Sequence, residues 1–250
     1  MRRIFASIIT LGAIVAIAAT SCKKDDTICY NNVTMGNIDG ETIISDQGNT
    51  FDITETPYEI NLGDYKYGRV ILSCDVLTQT AENRYNIRLN GIESVLTKPA
   101  VKASTITDPE LVVEDAIIIR DIWFGGGYVN MLIEFAHKDG SDTAHFINLI
   151  HDDTLVGEKY AFILRHNAYG ETPKDGEIFR SSLGYVSFPI SQIVEEDEAE
   201  ISFTWNSHRM TSVGYDLYET EIMTKKGTWK RAAFEHKPST VKPSYSFRAK

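Results

Sequence analysis

Val70-Ile71-Leu72-Ser73-Cys74-Asp75-Val76 sets Val70, Leu72, Cys74 and Val76 on one side of an extended chain and leaves Ser73 and Asp75 on the other. Side chains alternate across a strand, so this period of two reads as a half-buried strand. The same alternation recurs in Ile201-Ser202-Phe203-Thr204-Trp205-Asn206 and in Tyr85, Ile87 and Leu89. Ile117, Ile119, Trp123, Val129, Met131, Ile133 and Phe135 sit in further β-rich runs. The runs are short and punctuated by turn residues: Gly63-Asp64, Glu82-Asn83, Gly125-Gly126-Gly127 and Lys138-Asp139-Gly140-Ser141. That spacing predicts an all-β protein. Single helical turns are expected only at Gly91–Thr97 and Gln192–Glu198.

A polar stretch with Pro99, Ser104, Thr105, Thr107, Asp108 and Pro109 divides the strand-rich sequence into two blocks. Residues 40–98 accommodate five strands, expected at 42–46, 50–54, 57–61, 69–79 and 84–90. A small closed barrel would hide the edges that five short strands otherwise expose. Residues 99–115 read as a linker. Residues 116–236 hold seven or eight strands, enough for a sandwich of two antiparallel sheets. Residues 237–250 form a basic tail.

The amino terminus reads as an address. Arg2 and Arg3 precede an apolar run, Ile4 to Ala19, too short to cross a bilayer. It ends in Ala19-Thr20-Ser21-Cys22, which resembles a bacterial lipobox. Residues 1–21 are therefore expected to be a lipoprotein signal peptide, with Cys22 the lipidated residue and 22–39 a tether. Lys24-Asp25-Asp26 looks like the export signal of surface-displayed lipoproteins, so the expected location is the outer membrane, anchored by lipid and facing outward. Of the other cysteines, Cys74 shares a face with apolar residues and is expected to be a buried, unpaired thiol.

Charge and composition exclude several classes. The chain has 250 residues, 42% hydrophobic, and a net charge of −10. An acidic chain is poorly suited to nucleic acid. No phosphate loop, dinucleotide fingerprint, nucleophile elbow or zinc-spaced cysteine pair appears, and nothing calls for a cofactor. Glu195, Glu196, Asp197, Glu198 and Glu200 form a run best read as a solvated loop. Residues 225–250 hold eight Lys or Arg and one acid, Glu235, so this end can pair with the acidic body or with anionic lipid. All six histidines lie in the second block. If 128–137 and 145–151 formed a hairpin, His137 and His145 would be cross-strand neighbours beside Asp139 and Asp142, a possible metal pair; strand-end hydrogen bonding is the preferred reading. Trp123, Phe124 and Tyr128 flank the triple glycine. Trp123 is expected inside, and Phe124 or Tyr128 partly outside.

Several segments, taken in order, resemble the NigD-like family of outer-membrane lipoproteins. They are Leu96-Thr97-Lys98-Pro99, Asp121-Ile122-Trp123-Phe124-Gly125-Gly126-Gly127-Tyr128-Val129-Asn130, His145-Phe146-Ile147-Asn148-Leu149, Leu164-Arg165-His166-Asn167 and Gly184-Tyr185-Val186-Ser187-Phe188. The resemblance runs from the lipobox to about residue 206. It implies an OB-like barrel followed by an immunoglobulin-like sandwich. It carries no catalytic residues, and the family name comes from a bacteriocin locus where immunity was proposed. The expectation is a non-catalytic, membrane-anchored binding module for a glycan or protein, with immunity or a metal-dependent hydrolase built on His137 and His145 as alternatives. The expected ligand site is the junction of the two blocks, marked by Trp123, Phe124, Tyr128, His145 and His166, with no metal.

Overall fold

The computed structural model describes residues 28–174 and 178–230. The described residues run through fourteen strands. Five build the first block: β1 (Ile28–Asp39), β2 (Thr42–Ser45), β3 (Thr50–Glu55), β4 (Arg69–Ala81) and β5 (Arg84–Ser94). They close into a barrel in the order β1-β2-β3-β5-β4, with β3 and β5 parallel. This is the five-stranded barrel of OB type. The alternation of β4 fills its interior: Val70, Leu72, Cys74 and Val76 pack with Ile43, Phe51, Ile87 and Leu89. Cys74 is a free, buried thiol whose pKa burial pushes up to about 11. Glu82-Asn83 makes the β4–β5 turn with Asn83 at φ 55°, a conformation asparagine tolerates.

The remaining strands form a sandwich. They are β6 (Leu96–Thr97), β7 (Val101–Lys102), β8 (Ile118–Gly125), β9 (Tyr128–Lys138), β10 (Phe146–His151), β11 (Ala161–Asn167), β12 (Phe179–Pro189), β13 (Glu198–Thr211) and β14 (Gly214–Lys230). One sheet has the order β14-β13-β11-β10-β7, the other β6-β12-β9-β8. Their inner faces meet in one core, with Val129, Met131 and Phe188 from one sheet against Leu149, Phe162, Leu164 and Phe203 from the other. Burial of this alternating apolar set fixes the register, because a one-residue slip would turn every core side chain outward.

Several sequence expectations are corrected. The stretch 22–39 is not wholly tether: from Ile28 the chain is β1, paired on both sides by β2 and β4. Residues 57–61 are not a strand. Pro57 lacks a ladder donor, and Asn61 instead caps the 3-10 turn Leu62–Asp64 by accepting from Gly63 N–H at 3.1 Å. The barrel's fifth strand is thus β1. Gly91–Thr97 is extended, belonging to β5 and β6, because Leu72 and Val70 of β4 pair with Ile92 and Ser94. The second helical turn falls at Ile190–Val194, starting two residues before the predicted span and ending within it. The linker carries β7 and two 3-10 turns, Ala103–Thr105 and Pro109–Val112. Strands β9 and β10 do not form a hairpin. They lie in opposite sheets, β9 between β8 and β12 and β10 between β7 and β11. The signal peptide, Cys22 and residues 231–250 lie outside the described residues.

The two blocks are joined by a buried polar knot. Arg69, at the start of β4, is 1% exposed. Its guanidinium donates to both carboxylate oxygens of Asp46 (2.9 and 2.7 Å), to Asn130 Oδ1 (2.8 Å) and to Ser187 Oγ (2.9 Å). Arg69 and Asp46 belong to the barrel block, Asn130 to β9 and Ser187 to β12 of the sandwich. The β8–β9 turn supports the knot. Gly126 and Gly127 have φ of 59° and 89°, and a Cβ on Gly125 would lie 2.7 Å from Asp46 Oδ2. Only a turn without side chains fits against that carboxylate.

Candidate functional site

His145 and His166 are brought together by the β10–β11 ladder, in which Phe146 faces Asn167 and Ile147 faces His166. His145 Nδ1 lies 2.8 Å from His166 Nε2, and His166 Nδ1 lies 3.0 Å from the Ala116 carbonyl. These contacts assign the protons. A carbonyl only accepts, so His166 carries its proton on Nδ1 and offers Nε2 as acceptor, and His145 donates from Nδ1. His145 Nε2 then faces Glu171, at 3.7 Å. Burial pushes the His166 pKa down to about 4, with the neighbouring imidazole adding to the effect and the Ala116 carbonyl opposing it. Burial lowers His145 too, against the pull of Glu171. Burial alone would raise Glu171, but hydrogen bonds from Ser141, Thr143 and the Lys138 N–H hold it below the usual carboxylate range.

His166 lines a cleft of about 180 Å³ whose other walls include Glu114, Asp115, Asn206, His208 and Tyr218. The β13–β14 hairpin forms one side. A second hollow of about 470 Å³, lined by Arg120, Glu134, Met210 and Tyr215, shares Ala136 and Leu217 with the first. Together they make a groove under the hairpin. Tyr215 closes its far end with its ring 5.0 Å from the Arg120 guanidinium. His208 is 4% exposed. Burial lowers its pKa while a hydrogen bond to the Leu217 carbonyl opposes the shift. Its Nδ1 is buried with no hydrogen-bond partner among the described residues. Asp115 accepts from Ala168 N–H at 2.7 Å, and Asn206 donates to the Glu114 carbonyl at 2.6 Å, so both walls are fixed.

The other predicted residues lie elsewhere. Trp123 is buried in a small cluster with Met35, Ile71, Val95 and Leu132 between barrel and sandwich, edge-on to Tyr185. Phe124, on the opposite face of β8, packs on Trp229 and Phe203 inside the sandwich. Tyr128 is half-buried, its ring 4.0 Å from the Arg69 guanidinium. Trp123 and Tyr128 are therefore packed at the junction and Phe124 in the sandwich core, and none of the three lines the cleft beside His166. The junction itself is filled by the Arg69 knot and the Trp123 cluster. His137 does not join His145 as a metal pair; its Nε2 is 2.9 Å from Ser182 Oγ on β12. No group of three His, Cys, Asp or Glu able to hold a metal occurs among the described residues. The acidic run starts β13, and Glu196 binds Lys159 and Tyr160, which hold its carboxyl at about 2. Sequence reading missed Arg69, Asp46, His208 and the hairpin. Their partners are far apart in the chain, and the one signal was a charged residue heading an apolar run, Arg69-Val70-Ile71-Leu72.

Residues 100–218 match the family model described as the NigD-like C-terminal beta sandwich domain. No curated protein matches by sequence. Among solved structures, a toxin-related protein from Parabacteroides distasonis superposes with a TM-score of 0.58 at 23% identity, covering 80% of this chain and 92% of its own. A NigD-like immunity protein from Bacteroides caccae gives 0.54 at 18% identity, covering 77% and 90%. A lipoprotein from Bacteroides fragilis gives 0.56 at 14% identity, covering 81% and 98%. At these identities the likeness is one of fold. Most of the sandwich, residues 100–218, is thus a NigD-like C-terminal domain, and the barrel-plus-sandwich fold is one shared with a NigD-like structure.

Proposed function

We propose that the chain is a non-catalytic binding protein, anchored by lipid on Cys22 to the outer membrane and displayed on the cell surface, and that its ligand seats in the groove between His166 and the β13–β14 hairpin. The observation that carries the site is His208, a buried imidazole at the groove wall with an acceptor nitrogen left unpaired. Buried polar atoms in a native protein are normally satisfied, so an orphan in a cleft wall is a group that a ligand reaching into that wall would complete. Glu114 and Asp115 add acceptors, and Tyr218, 60% exposed, adds an aromatic face. Acceptors beside an exposed ring suit a hydroxyl-rich ligand, which favours a glycan over a protein. The same geometry speaks against acid–base work by His166. Both its ring nitrogens are engaged, one by Ala116 and one by His145. Of the five residues marked in the sequence, His166 forms the wall and His145 holds its ring. Trp123 and Tyr128 act at a distance by packing at the junction, and Phe124 packs inside the sandwich.

Two measurements test this. An oligosaccharide array probed with purified protein should give hits that are lost with His208→Phe and with Tyr218→Ala. An array without hits, or hits indifferent to both substitutions, would remove the groove as the site. For the anchor, Cys22→Ala should release the protein from membranes into the soluble fraction; retention would refute lipid attachment there. The name of the Bacteroides caccae neighbour favours a second reading, immunity to a toxin. Under it, cells lacking the protein become sensitive to a toxin encoded beside its gene.

A further inference from the structure

We propose that two copies of this chain pair edge to edge through β14, antiparallel about Ile222, to make one continuous ten-stranded sheet. Strand β14 ends its sheet and, among the described residues, pairs only with β13. It is 17 residues long, about 55 Å at the usual rise. The other sheet ends are short: β6 and β7 have two residues each and β8 has eight. A long edge offers a row of backbone donors and acceptors to another strand. Its middle is apolar and open, with Ile222 63% and Met223 38% exposed.

The charge pattern selects the occupant. Asp216, Glu219 and Glu221 precede Ile222, and Lys225, Lys226 and Lys230 follow it. A twofold axis at Ile222 runs the second copy in the opposite direction, so its basic half lies along the acidic half of the first. Thr220 then faces Thr224 of the second copy, Glu221 faces Met223, and Ile222 faces itself, each pair sharing a face. Tyr218 and Glu219, in the bulge that follows Asp216, lie alongside Lys226 and Lys225. A parallel pairing would set acid on acid and Lys on Lys. The lysines that guard many edges against association occupy only half of this one. Internal ion pairs already use some of these charges: Lys226 with Glu158 at 2.9 Å, Lys230 with Glu198 at 3.4 Å and Glu219 with Arg209 at 2.6 Å. All six partners remain about half exposed, so the pairs can be shared across an interface. The same surface patch serves both subunits, as an isologous contact requires.

The test is the solution mass of the full chain in detergent by sedimentation equilibrium, with melting temperature as the check on folding. The native chain should be a dimer. Glu219→Lys with Glu221→Lys makes the edge basic from 219 to 230, and Lys225→Glu with Lys226→Glu makes it acidic through its centre. Each double variant should run at half the mass, and an equimolar mixture should recover the dimer as a heterodimer. A native monomer, a dimer indifferent to both variants, or a mixture that stays monomeric would overturn the proposal. So would a dimer that forms only after removal of residues 231–250, since the chain's own tail would then hold the edge.

Discussion

Arg69 shows how much one side chain decides here. Its charge is out of water, and Asp46, Asn130 and Ser187 answer it. Breaking a buried pair by removing one partner leaves the other charge uncompensated, at a cost of about 3–5 kcal/mol. Arg69→Met should therefore lower stability in urea by that amount. Arg69→Met combined with Asp46→Leu should recover part of it, because no charge is then stranded. His166 supplies a pH test. Its folded pKa is about 4, against about 6.5 in the unfolded chain. Between those values the unfolded chain binds the extra proton, so stability is full above pH 6.5 and is lost as pH falls through 4. The loss from this residue reaches about 3 kcal/mol, and His145 acts with the same sign. His166→Gln should flatten the stability profile between pH 7 and 4.5; an unchanged slope would show that the pair does not carry it.

At the scale of elements, the β8–β9 turn separates two costs of replacing glycine. Gly126→Ala must hold φ near 59° and also displace Asp46, whose side chain occupies the space a Cβ would take. Gly140→Ala holds φ near 76° in open space. The second should cost about 1 kcal/mol and the first clearly more, read as the difference in melting temperature. A parallel test lies in β4. The Cys74 thiol, buried and with its pKa pushed up to about 11, should resist alkylation at pH 8 until the barrel unfolds. Strands were legible wherever one face is buried, as in β4 and β13, because burial imposes the period of two. β1 was not, since Ile28-Cys29-Tyr30-Asn31-Asn32-Val33 carries no clean alternation and its place depends on β4 alongside. The 57–61 error has the opposite cause: a β-like composition in a segment whose Pro57 and Asn61 favour a turn.

For the whole molecule, the polar knot ties barrel to sandwich and should make them one cooperative unit. The native chain should unfold in a single calorimetric transition. Arg69→Met should split or broaden it as the two blocks melt separately, and a transition that stays sharp would mean the Trp123 cluster alone couples them. The segments that carry the family resemblance also acquire a physical meaning at this scale. Asn130 and Ser187 close the knot, Lys98 donates to Asn148 Oδ1 at 2.6 Å and to the Ile147 carbonyl at 3.0 Å, and His145 and His166 bind each other. Their side chains satisfy polar groups that the fold takes out of water, a need any chain of this architecture must meet.

From the sequence alone came the all-β class, the two blocks, the interior of the barrel and the inward position of Trp123, because each follows from local alternation and turn chemistry. Pairing across the chain did not. That His145 meets His166 instead of His137, that Arg69 reaches Asp46, Asn130 and Ser187 up to 118 residues away, and that β13 and β14 overhang a groove are decided by which sheet each strand joins. Strand alternation says which way a side chain points. Only the closed barrel and the packed sheets determine what it meets there.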